Sequence, residues 1–298
     1  MDILTIQGLQ KRFGEKQVLK GLDLCVPQKS IFGFIGANGA GKTTTMKLIL
    51  GLLPADAGEI HVCGERVVYG ETKTNQSIGY LPDVPAFYDY MTAKEYLHFC
   101  GEMLDMPQAD IRERADQLLK MVGLSDETHR IKGYSRGMKQ RLGIAQALLH
   151  RPKLLICDEP TSALDPLGRK EVLDILQAVK EETTVIFSTH ILSDVEKICT
   201  QAAILKDGHI VMQGSVSALK AMRTSDEFYL VPARSDDISQ ILEAFGDKAS
   251  VSGEKLVFQG DEEKMFEVLK YITEHRIPVS KLERCEPSLE SLFLEVSS

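Results

Sequence analysis

The sequence predicts an α/β fold with a helical insert, followed by a smaller α+β domain, and three observations carry that reading. Short apolar runs at Ile31–Ile35, Leu154–Cys157, Thr184–Ser188 and Ala202–Lys206 recur between longer segments of helical period, the pattern of buried strands alternating with helices. Residues from about 88 to 150 hold no comparable strand and read as mainly helical, opened by the capping-box pattern Thr92-Ala93-Lys94-Glu95. Beyond about 220 a new series begins. Phe228–Val231, Ala249–Val251, Lys255–Phe258 and Val279–Glu283 read as strands; Asp236–Phe245, Glu262–His275 and Leu289–Val296 read as helices. The order βαββαβ predicts a small ferredoxin-like domain over 223–298.

The first chemical element is Gly36-Ala37-Asn38-Gly39-Ala40-Gly41-Lys42-Thr43, which fits G-x-x-x-x-G-K-[ST] and lies between the run ending at Ile35 and a helix through Leu50. Gly36, Asn38, Gly39 and Gly41 form a loop whose glycines permit a tight path, turning successive N–H groups toward one anion. The following helix adds its positive N-terminal end. A phosphate is the natural guest. Lys42 is expected to reach the β- and γ-phosphates of ATP, Thr43 to coordinate Mg²⁺ through its hydroxyl, and Thr44 to support the contact.

The second is the apolar run Leu154–Cys157 ending in Asp158-Glu159-Pro160. Adjacent strand residues face opposite ways, so two carboxylates can divide two tasks. Asp158 is expected to hold Mg²⁺, and Glu159 to polarise the water that attacks the γ-phosphate in line. Without the phosphate loop, the same pair reads equally as two acids solvated at a strand end.

Between them, Tyr134-Ser135-Arg136-Gly137-Met138-Lys139-Gln140-Arg141 resembles the signature of ABC-type ATPases, usually Leu-Ser-Gly-Gly-Gln. Ser135 and Gly137 are kept, the other three positions depart, and Gln140-Arg141 is the pair that commonly follows. The order along the chain strengthens the resemblance: phosphate loop, Asp83 after Ile78–Pro82, signature, Asp158-Glu159, Ser162-Ala163-Leu164-Asp165, then His190 after a strand. It covers residues 1–220, a P-loop NTPase domain of ABC type with a helical subdomain at about 88–150.

The resemblance implies specific roles. Two such domains pack head to tail, as a homodimer or with a paralogous ATPase, so that Ser135 and Gly137 of one subunit close over the ATP held by the other. Ser135 also suits a helix N-cap. His190 would contact the γ-phosphate, Asp165 would carry contacts across the dimer, and Phe13, on an N-terminal strand, would stack on adenine. Asp83 stands where the family has Gln or Glu and would sense Mg²⁺ and water. Tyr134–Arg141 and Pro287–Phe293 place the chain in the drug-, antibiotic- and peptide-exporter branch, resembling bacitracin- and lantibiotic-resistance and daunorubicin-type ATPases. The function implied is an ATPase that powers a separate membrane permease. A soluble ABC protein acting on ribosomes or DNA would need a second nucleotide domain or a coiled-coil interruption. A small-molecule kinase would leave the Ser135 motif and His190 without a role.

Composition agrees. The 298 residues carry a net charge of -8 and a pI near 5.5, against a surface built for nucleic-acid phosphates. No apolar run approaches the roughly 20 residues that a spanning helix needs, and the start has no secretory pattern. The location expected is therefore the cytoplasmic face of the membrane, held through the permease. Cys25, Cys63, Cys100, Cys157, Cys199 and Cys285 are scattered singly and read as reduced thiols, with Cys157 as core filling. After residue 220, runs such as Asp261-Glu262-Glu263-Lys264 read as solvated helix ends, so the second domain is expected to regulate or to support the dimer.

Overall fold

A computed structural model describes residues 1–71, 73–222, 227–246, 249–253, 255–284 and 288–297. The expected boundary at 223, Cys285 and Pro287 lie outside the described residues. The chain forms two compact units, Met1–Leu219 with Phe293–Ser298, and Lys220–Leu292.

The first unit opens with β1 (Asp2–Phe13) and β2 (Lys16–Pro27), followed by β3 (Ile31–Gly36), α1 (Lys42–Ile49), β4 (Ala57–Val62), β5 (Glu65–Arg66) and β6 (Ile78–Leu81). The helical insert holds α2 (Ala93–Met103), α3 (Gln108–Met121) and α4 (Arg136–Ala147). Then come β7 (Leu154–Asp158), α5 (Pro166–Ala178), β8 (Thr184–Thr189), α6 (Leu192–Ile198), β9 (Gln201–Lys206), β10 (His209–Ser215) and α7 (Val216–Ala221).

Two sheets result, an antiparallel one of order β2-β1-β4-β5 and a six-stranded one of order β10-β9-β3-β8-β7-β6. In the larger sheet β3, β8, β7 and β6 run parallel, β9 is parallel to β3, and only β10 reverses. Every residue of β3, β7 and β8 is buried, as expected of strands covered on both faces. In β2 the burial alternates instead, with Leu22, Leu24 and Val26 inside and Asp23 and Cys25 outside. One core joins Leu4, Ile6 and Leu24 of the antiparallel sheet with Met46 and Ile49 of α1 and Phe32, Ile156 and Ile186 of the larger sheet. The phosphate-loop helix is thereby packed firmly at its base.

At the start of α2 the capping box forms: the Glu95 N–H donates to Thr92 Oγ1 at 3.3 Å, and the Thr92 N–H to Glu95 Oε2 at 2.8 Å.

The second unit contains β11 (Glu227–Pro232), α8 (Asp236–Phe245), β12 (Ala249–Ser252), β13 (Lys255–Gln259), α9 (Glu262–Glu274) and β14 (Val279–Arg284), with α10 (Leu289–Ser297) following. Its antiparallel sheet has the order β12-β13-β11-β14, the arrangement that two interleaved βαβ halves produce. Phe258 is fully buried, stacked on Phe228 at 5.0 Å and edge-on to Phe245 at 5.6 Å. Phe258→Ala is expected to cost about 3–5 kcal/mol. Hydrogen exchange checks this: amides of β11 and β13 should lose protection while those of β3 keep theirs.

Candidate functional site

The carboxyl ends of β3, β7 and β8, neighbours in one parallel sheet, bring the phosphate loop, the paired carboxylates and His190 to one edge. This is where open α/β sheets bind ligands. After β3 the chain turns through Gly39 at φ 81° and Gly41 at φ 113° before α1 begins at Lys42. The conformation at Gly41 favours glycine, and a Cβ there would also crowd Leu19 Cδ2 at 2.9 Å. Thr45, wholly buried, ties the first turn back by donating its hydroxyl to the Gly41 carbonyl at 2.9 Å.

Lys42 is 5% exposed and its ammonium has three partners: the carbonyls of Gly36 at 2.7 Å and Ala37 at 3.2 Å, and Glu159 Oε1 at 3.1 Å. The other oxygen of Glu159 meets His190 Nδ1 at 3.0 Å. Glu159 is thus held between a cation inside the loop and an imidazole at the rim. Its backbone is equally constrained. It sits at φ 49°, in the left-handed region, with its N–H directed at both the carbonyl and the hydroxyl oxygen of Ser188, each at 3.1 Å. The same Ser188 hydroxyl donates to Asp158 Oδ1 at 2.5 Å, and Asp158 is 2% exposed. Ser188 therefore holds the carboxylate of Asp158 and the backbone of Glu159, a role that sequence reasoning missed because a serine within an apolar strand carries no motif.

The other expected residues take separate places. Thr43 is exposed and Thr44 half-buried in the first turn of α1. Ser135 caps α4, accepting the Met138 N–H at 3.2 Å, and a Cβ on Gly137 would meet only Ser135 Oγ, at 4.0 Å. Asp165 caps α5 through the Gly168 N–H at 3.1 Å. Phe13 is exposed at the end of β1, with Lys11 Nζ 5.5 Å from its ring centre. Asp83 follows β6 and faces Arg136 at 3.6 Å, with both side chains half-exposed. The Tyr80 phenol is pushed up to about 12, chiefly by burial and then by the nearby charge of Asp158. Cys157 is fully buried, and burial with neighbouring Asp158 raises its thiol, so it is inert core filling.

A groove of about 1040 Å³ opens on the helical insert beside β6, lined among others by Tyr80, Phe87, Tyr88, Tyr96, Phe99 and Met103. Among the described residues no helix is long and apolar enough to cross a membrane.

Residues 19–162 match the ABC transporter family. The uncharacterised ABC transporter ATP-binding protein YxlF of Bacillus subtilis is 38% identical, with 99% of each chain covered. The linearmycin resistance ATP-binding protein LnrL, also of Bacillus subtilis, is 33% identical over 99% of this chain and 98% of its own. A solved ATP-binding subunit of an ABC transporter superposes with a TM-score of 0.66 at 30% identity, covering 74% of this chain and 92% of that one. With similarity running from end to end and a sheet edge equipped for nucleotide, the chain belongs to the ATP-hydrolysing, ATP-binding subunits of ABC transporters.

Proposed function

We propose that Glu159 is the general base of ATP hydrolysis and that the chain powers export of a drug, antibiotic or peptide through a separate membrane permease. The observation that carries the catalytic part is the double hold on Glu159, between Lys42 and His190. A carboxylate fixed at both oxygens at the edge of the phosphate loop is positioned to take a proton from water, and Lys42 is placed to bind the oxygens of the transferred phosphate. A carboxylate only accepts, so the contact takes the Nδ1 proton of His190 and leaves Nε2 as the ring nitrogen to meet the γ-phosphate. Gly36, Asn38, Gly39, Gly41 and Thr44 complete the phosphate cradle, and Phe13, exposed beside a lysine, suits a ring that stacks on adenine.

Mg²⁺ fits the donors present. Asp158 supplies hard carboxylate oxygens, Thr43 a hydroxyl and Asp83 a further acid, and among the described residues no three His, Cys, Asp or Glu side chains converge. An ion that keeps several waters and takes one or two protein oxygens suits such a set. When bound, Mg²⁺ would neutralise charge on the phosphates.

Ser135, Gly137 and Asp165 line one shallow cavity of about 400 Å³, away from the loop that holds Lys42 in the chain order. The reading that unites them with the phosphate site is a head-to-tail dimer in which they act on the partner's ATP. The aromatic groove is the surface we assign to the permease, and it would hold the subunit at the cytoplasmic face of the membrane. LnrL, a resistance ATPase by name, matches along nearly its whole length, which supports an antibiotic-like cargo.

A tagged chain recovered from detergent-solubilised membranes should bring with it an integral membrane protein. Recovery with ribosomes alone would favour the soluble alternative. Residues 223–298 are assigned a regulatory or dimer-supporting role. Their deletion should change dimerisation, ATPase rate or permease assembly, and no change in any of the three would refute the assignment.

A further inference from the structure

A buried carboxylate that the catalytic reading leaves unused joins the loops bearing Glu159 and His190. Asp194, on α6, is 1% exposed. Its Oδ2 accepts the Thr161 hydroxyl at 2.7 Å, and its Oδ1 accepts from Arg169 Nε at 2.6 Å. Arg169 also donates from Nη2 to Ser193 Oγ at 2.7 Å.

These partners come from three functional segments. Thr161, itself 1% exposed, follows Glu159 by two positions; Arg169 lies in the turn of α5 that Asp165 caps; Asp194 follows His190 by four positions. A covalent and hydrogen-bonded ring results. It runs from Glu159 along the chain to Thr161, across to Asp194, back along the chain to His190, and closes on Glu159 through the 3.0 Å contact.

A buried charge is costly unless it is paired and hydrogen-bonded, and apolar side chains would hold these segments together at least as strongly. What a carboxylate adds is direction. With one oxygen committed to α5 and the other to the segment after Glu159, it fixes where the two loops stand relative to each other.

We propose that Asp194 is a positioning residue for ATP hydrolysis. Through Thr161 and Arg169 it sets the separation of the Glu159 and His190 loops and the orientation of the segment ending at Asp165. The inference rests on the reading of Glu159 as the base. Displacements near 1 Å at such sites cost up to about 10²-fold in rate, so partial loosening should be visible in turnover.

Thr161→Val is the direct test, because Val keeps the shape of Thr, removes one hydroxyl and leaves the Asp194–Arg169 pair in place. The expected result is a kcat about tenfold lower with KM for ATP within about twofold, and Thr161→Ser, which keeps the hydroxyl, should restore kcat. Wild-type kcat in the Val variant, a loss confined to KM, or failure of Ser to restore would each overturn the proposal. Glu159→Gln measured in parallel separates the two ideas. Normal turnover there removes the reading of the base, whereas its loss beside an unaffected Thr161→Val removes only the role of Asp194.

Discussion

Glu159→Gln is expected to lower ATP turnover by about 10²–10⁴-fold, the usual worth of a positioned general base, while MgATP still binds. The substitution keeps the size and shape of the side chain. Gln retains an oxygen that can accept from Lys42 and an amide that can meet His190, so the ammonium is not left unpaired and the phosphate loop keeps its shape. The basicity and the negative charge are lost, and the His190 proton must move to Nε2 for Nδ1 to accept from the amide. Under the proposed dimer, the variant should accumulate as an ATP-bound pair, seen as an ATP-dependent doubling of mass by light scattering. Turnover at the wild-type rate would remove Glu159 as the base.

Ser135→Arg should abolish hydrolysis, by about 100-fold or more, yet leave nucleotide binding to the single chain unchanged. Two effects must be separated. Losing the cap on α4 costs about 1 kcal/mol, and Ser135→Ala, which removes the hydroxyl from the cap and from the proposed contact with the partner's ATP but adds no bulk, measures the loss of the hydroxyl alone. The arginine adds bulk and charge at a face that is open around Gly137. If both subunits' signature segments must close over ATP, that addition blocks closure and the ATP-dependent dimer disappears. Unchanged hydrolysis would argue that the site is complete within one chain.

The local geometry of the proposed nucleotide site was legible because it is written in short stretches of sequence. Positive φ at Gly39 and Gly41, the helix starting at Lys42 and the strand ending in Asp158-Glu159 all lie within short stretches whose residue types leave few alternatives. The larger sheet was legible for a similar reason, since strands buried on both faces read as continuous apolar runs. The antiparallel sheet was not. In β1 the pairing shifts register between Ile6 and Leu9 and again between Lys11 and Arg12, and Gly8 takes φ 58°, so the two-residue period is broken where it would have announced a strand. Ser188 and Asp194 were hidden differently. Each is one polar residue among others in an ordinary-looking element, and its meaning comes from partners about thirty positions away in the chain, which no local pattern encodes. Asp83 gains meaning from Arg136 in the same way, two departures from the family pattern that face one another.

The backbone of Glu159 has a consequence for how this chain can change. An L-residue in the left-handed region carries on the order of 1 kcal/mol of strain that glycine or asparagine would relieve. With Glu159 as the proposed base, folding and turnover pull position 159 in opposite directions. A copy of this gene released from selection for hydrolysis would be expected to drift toward Gly or Asn there. Such a residue in a relative would mark a degenerate nucleotide site, one kept for binding and assembly after its chemistry had lapsed.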